Sequence, residues 1–151
     1  MTTAIQDLYF PDGMCFGCGP KNADGLRLKS FEDGDGRAVA EFRPWPQHDN
    51  GVGFLNGGVI ATVLDCHSAA PMLVKASAEG WWSEGAPLPY VTAGIDLKYL
   101  RPTPLAETLA LVGELRSADE NEMTIHVWVE FDGKFRAEAD ALWKRWRPRR
   151  S

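Results

Sequence analysis

The chain has 151 residues, 44% of them hydrophobic and 25% charged, with a formal net charge of -5. That is ordinary globular composition, enough for one domain with a core. The acidic balance argues against nucleic-acid binding by the surface as a whole, and three cysteines make no disulfide framework.

From the N-terminus, "MTTAIQDLYF" does not read as a secretory leader. It opens an extension over residues 1–24 that ends in the motif "CFGC" (Cys15, Cys18). A C-x2-C pair is half of a metal site, but a structural zinc needs two more ligands at fitting spacing. Cys66, His48, His67 and His126 are scattered along the chain. The expectation is therefore a tight turn with small buried thiols and no metal. "GLRLKSF" (25–31) and "RAVAEFR" (37–43), split by "EDGDG", predict a hairpin.

A Gly-rich turn, "NGVGFLNGG" (50–58), then runs into a helix predicted over about 58–78. Its apolar residues, among them Val59, Ile60, Val63, Leu64, Met72, Leu73 and Val74, fall nearly all round, so the helix should be buried. Pro71 should kink it. Asp65 stands about two turns in, where a carboxylate is costly unless paired or at work. No run is read as reaching the ~20 apolar residues of a membrane helix, and a cytoplasmic protein is expected. "EGWWSEGAPLP" (79–89) reads as a loop.

Four period-2 segments follow: 91–99, 108–116, 123–131 and 135–143. In the first, Val91, Ala93, Ile95, Leu97 and Tyr99 share one face and Thr92, Gly94, Asp96 and Lys98 the other. Asp132-Gly133 is a strong two-residue hairpin signal between the last two. The small row Ala137, Ala139 and Ala141 should let a strand approach the helix. "KRWRPRR" (144–150) reads as a solvated basic tail, assigned to 145–151. The whole is an α+β fold of one domain, 1–151: a long central helix wrapped by a curved antiparallel sheet of about six strands.

The chemistry is narrowed by what is missing. There is no G-x-S-x-G, no Walker loop and no G-x-G-x-x-G after a strand. Cys66 and His67 are adjacent on a helix, point about 100° apart and cannot form a dyad. What remains is Gly57-Gly58 at a helix start, Asp65 inside the helix and Asn50 upstream. Free N–H groups at a helix start stabilise an oxyanion, and glycine lets a carbonyl come close. One chain cannot easily bring both Gly57 and Asp65 to a single carbonyl; two chains packed antiparallel can.

Residues 50–65, "NGVGFLNGGVIATVLD", resemble the hot-dog-fold acyl-CoA thioesterases of the PaaI-like branch, which show an Asn, then H-G-G at the helix start, then Asp nine residues after the His. Asn56 occupies the His position here and Asp65 follows nine later. "IDLKYLRP" (95–102) and "CFGCGPKNADGLRL" (15–28) resemble further segments of the same family, so the likeness covers most of 15–145. It implies Asp65 as general base or nucleophile, the Gly57 N–H as oxyanion donor, Asn50 placing the water or acyl group, and Thr92 holding the water. Asn56 departs from the family, since it donates a hydrogen bond and does not titrate.

The implied substrate is an acyl-CoA, small aromatic or short to medium chain, with coenzyme A part of the substrate and no other cofactor. The implied assembly is a homodimer with shared sites, arranged as a dimer of dimers. Gly58, Phe54, His48, Trp81, Lys98 and Arg101 are candidate substrate-binding residues: aromatics for an acyl pocket, His48 as a gate, and the two cations for the coenzyme A phosphates. The alternative is a non-catalytic acyl-CoA or small-ligand binder on the same fold. A hot-dog dehydratase would pair its Asp with a His five residues later, where Ala70 stands. Structural alternatives stay open for each residue: Asp65 as an acceptor near Pro71, Asn50 as a turn residue, Thr92 as strand surface, and Gly57-Gly58 for close packing.

Overall fold

The computed structural model describes residues 3–147; the far end of the basic tail, 148–151, lies outside them. In chain order the elements are α1 (Ile5–Tyr9), β1 (Ser30–Glu32), β2 (Arg37–Phe42), α2 (Gly57–Ala78), β3 (Tyr90–Tyr99), β4 (Leu109–Ala118), β5 (Glu122–Phe131) and β6 (Lys134–Arg145). The six strands form one antiparallel sheet in the order β1-β2-β4-β5-β6-β3. The α2 helix packs on one face of it, as the hydrophobic pattern predicts.

The core is the α2 surface against the inward positions of the strands. Val63, Leu64 and Met72 from the helix meet Leu109, Leu111, Met123, Ile125, Val127 and Val129 from β4 and β5, all at most 1% exposed. Each such side chain contributes roughly 1.5–3 kcal/mol by leaving water. Ala137, Ala139 and Ala141 of β6 are equally buried, the small row that admits close approach. Asp132 (φ 53°) and Gly133 (φ 70°) both adopt left-handed backbone, the geometry of a type I′ turn matched to sheet twist.

The apolar composition of α2 has a consequence. By length and composition, with mean hydropathy 1.3, it is apolar enough to cross a bilayer, contrary to the expectation from the sequence. More than half of that apolar window is buried inside the fold, and a core helix surrounded by sheet needs the same apolar composition. The helix continues through Pro71, which is buried.

Two other expectations are corrected. Regular strand is limited to Ser30–Glu32 where a strand over 25–31 was expected. The Leu26 and Leu28 N–H groups instead donate to the carbonyls of Phe16 and Gly17, and Arg27 takes a left-handed φ of 51°. The CFGC loop thus takes the ladder positions of that segment. In β3, a bulge between Thr92 and Gly94 changes the side-chain parity. Thr92 therefore faces the helix together with Ile95, Leu97 and Tyr99, while Val91 turns outward.

A buried polar network fixes the N-terminal segment. Gln6 Nε2 donates to Ser30 Oγ (3.1 Å), and the Ser30 N–H donates to Gln6 Oε1 (2.7 Å). His67, fully buried in α2, has Nδ1 2.8 Å from Ser30 Oγ and Nε2 3.1 Å from the Ala38 carbonyl. A neutral ring satisfies both contacts if Nε2–H donates to Ala38 and Nδ1 accepts from Ser30. Burial drives its pKa down to about 4, against a smaller opposing effect of the Ala38 carbonyl. His67 is a packed histidine.

Candidate active site

Asp65 is half-buried on the third turn of α2. Its Oδ1 accepts a 2.7 Å hydrogen bond from the Thr92 hydroxyl. The β3 bulge is what aims Thr92 at the helix, so the two residues named from sequence come together through a backbone irregularity. Next to them, Trp143 Nε1 donates to Ser68 Oγ (2.9 Å), which donates in turn to the Asp65 carbonyl (2.6 Å). Asp65 faces a cavity of about 300 Å³ whose wall is mostly apolar, with Phe10, Leu73, Leu88 and Trp143, and also carries Gln6 and the three cysteines.

The helix start forms a second, separate cavity of about 650 Å³, lined by Asn50, Phe54, Gly57, Gly58, Tyr99 and Arg101 among others. Asn56 is the N-cap, its Oδ1 accepting from the N–H groups of Gly58 (2.8 Å) and Val59 (3.3 Å). The Gly57 N–H is left without an acceptor among the described residues. The Gly57 carbonyl accepts from the Tyr99 hydroxyl at 2.7 Å, and a Cβ on Gly57 would lie 3.2–3.4 Å from that ring. Glycine here makes room for Tyr99 and leaves a bare N–H at the positive end of α2. Thr103, on the same wall, has a buried hydroxyl without a partner among the described residues.

The two cavities share no lining residue, and Gly57 and Asp65 stand about 12 Å apart along the helix axis. Within one chain, Gly57 and Asp65 open into two separate cavities. Three substrate-binding candidates belong to neither. His48 is buried, stacked 4.8 Å from Trp45 and 5.9 Å from Phe42, with Nδ1 accepting from the Trp45 N–H (2.9 Å); burial lowers its pKa. It holds the turn and lines neither cavity. Trp81 lies beyond the other end of α2, under the Lys75 ammonium. Lys98 points from the outer face of the sheet, among Asp96, His126, Glu138 and Asp140, because strand alternation sets it opposite to Leu97 and Tyr99.

Asn50 lines the helix-start cavity, but its Oδ1 accepts from the N–H groups of Val52 (2.9 Å) and Phe54 (3.2 Å). Its oxygen serves the turn, and its amide nitrogen makes no hydrogen bond among the described residues. Arg101 sits at the rim with Nη1 on the Phe135 carbonyl (2.9 Å). The sequence reading missed Tyr99 and Thr103, which only strand register and burial put at this cavity. It also took Cys66 as remote from Cys15 and Cys18, whereas the three sulfurs converge beside Asp65.

No protein-family model matches the chain, and no curated protein sequence matches it. Solved structures do. A thioesterase superfamily protein from Shewanella loihica is 29% identical with a TM-score of 0.61, over 80% of this chain and 91% of its own. The chain has the hot-dog fold of the thioesterase superfamily. PaaI from the Escherichia coli phenylacetic acid degradation operon shares that fold at 18% identity and TM-score 0.66, over 80% of each chain. So does a phenylacetic acid degradation-related protein from Ralstonia eutropha, at 22% and 0.67, over 79% of this chain and 85% of its own. In this hot-dog protein the central helix is α2, and both cavities open along it.

Proposed function

We propose that this hot-dog protein is an acyl-CoA thioesterase whose site is completed by a second copy of the chain. The observation that carries the reading is the separation of the half-sites. Among the described residues, Asp65, held by Thr92, shares no cavity with a helix-start N–H, and the bare Gly57 N–H shares none with a carboxylate. An antiparallel pair joins Asp65 of one copy to Gly57 of the other, twice. The unpaired edge strand β3 supports that pairing. It exposes Val91, Ile95 and Tyr99 at 45%, 38% and 55%, and an open edge of this length invites another strand. A dimer of such dimers is the further assembly the reading implies.

In the reaction, Asp65 takes a proton from a water molecule and the water oxygen bonds to the thioester carbon. The carbonyl oxygen gains the negative charge and is held by the Gly57 N–H at the helix end. Collapse breaks the C–S bond, and the sulfur leaves with the proton that Asp65 holds. Thr92 fixes the carboxylate; it is a positioning residue. Phe54 lines the acyl side and Arg101 is placed at the rim for a phosphate of coenzyme A. Attack by Asp65 itself, with a mixed anhydride that water then opens, uses the same groups.

One observation favours a ligand-binding reading instead: the Asn56 oxygen is committed to the α2 backbone, so nothing titrates at that position. Thiol release from a panel of aromatic and aliphatic acyl-CoA esters separates the two. The thioesterase reading expects turnover of at least one ester by the wild type and its loss in Asp65→Asn. Tight acyl-CoA binding with no release of thiol by either protein overturns it.

A further inference from the structure

The three cysteines form a cluster that the proposed hydrolysis does not use. Cys15 and Cys18 come from the loop before β1 and Cys66 from α2, yet their sulfur atoms all lie within 4.8 Å of one another. Cys15 Sγ stands 3.7 Å from Cys66 Sγ. Two sulfurs tetrahedrally bound to one zinc at about 2.3 Å are separated by about 3.8 Å, whereas a disulfide requires about 2.05 Å.

The loop is shaped around these sulfurs. The Gly19 N–H closes the turn on the Cys15 carbonyl at 2.7 Å. A Cβ on Gly17 would fall 2.2 Å from Cys66 Sγ, and one on Gly19 2.4 Å from the Cys15 nitrogen. The glycines in C-F-G-C-G are what let the loop press both of its sulfurs against the helix.

We propose that Cys15, Cys18 and Cys66 bind one thiophilic divalent cation, zinc foremost, with a fourth coordination position open to the cavity that Asp65 lines. Three protein ligands and one open position make a complete tetrahedral set with a solvent molecule. The ion anchors the 13–28 segment on α2 at the edge of the catalytic cavity.

The test is cobalt and zinc binding by the fully reduced full-length protein. Stoichiometry is read by elemental analysis, and ligation by the thiolate-to-cobalt charge-transfer band and the visible bands of tetrahedral cobalt. The expected result is one ion per chain with three thiolates, and binding at least about 100-fold weaker in each of Cys15→Ser, Cys18→Ser and Cys66→Ser, since losing even an outer-shell partner costs 10–100-fold. Cys15 is exposed, so Cys15→Ser leaves the fold intact, and circular dichroism checks the other two. No ion on the reduced protein, binding that survives Cys66→Ser, or a disulfide in the purified protein whose reduced form takes up no metal each overturns the proposal. None of these readouts depends on thioester hydrolysis.

Discussion

Asp65, Asn56 and His67 stand on one helix and do three different things because of what each touches. Asp65 meets a single hydroxyl and a cavity, so its carboxylate keeps lone pairs for chemistry. Asp65→Asn should lower kcat on the best acyl-CoA at least ~100-fold with unchanged circular dichroism, the scale of losing a general base; near-normal turnover would place the base elsewhere. Asn56 caps two N–H groups, so Asn56→Ala should cost about 1 kcal/mol of stability and Asn56→Asp little, read by urea unfolding.

His67 is buried neutral. Its folded pKa of about 4 lies below the ordinary 6.5. Between those values the unfolded chain holds a proton that the folded chain refuses, so stability rises with pH across that window. It is complete above 6.5 and lost as pH falls toward 4. The loss amounts to about 3 kcal/mol. Unfolding free energies measured across that range should slope less steeply in His67→Gln; equal slopes would remove His67 as the cause.

At the scale of elements, the start of α2 separates donor from packing. Gly57 is the first helical residue, where proline suits the backbone and removes the N–H. Gly57→Ala adds a Cβ against Tyr99 and keeps the donor. Gly57→Pro should therefore lose about 100-fold or more in kcat relative to Gly57→Ala, the effect of one oxyanion donor. Equal kcat in the two variants would show that the N–H carries no charge in the reaction. The same scale explains the β3 bulge: without it Thr92 would point away from α2 and Asp65 would have no partner.

For the whole molecule, the two-copy site makes a complementation test decisive. Asp65→Asn and Gly57→Pro chains are each inactive alone in this reading. Co-expressed and mixed at random, half the dimers are hybrids with one intact site of two, so about a quarter of wild-type activity should return. No recovery from hybrids verified by native mass spectrometry would refute the shared site.

The sequence by itself determined the buried helix, the late strands, the Asp132-Gly133 turn and the presence of Asp65 on the same helix as a Gly-Gly start. These depend on local periodicity and turn chemistry, which neighbouring residues carry. Tertiary structure alone decided which face Thr92 presents, that His48 stands apart from both cavities, and that Tyr99 and Thr103 join the helix-start cavity. A bulge shifts parity by one residue without altering composition, so no periodic pattern registers it. The tertiary fold also brought Cys66 to the CFGC loop, a contact across 51 positions between Cys15 and Cys66 that sequence spacing does not encode.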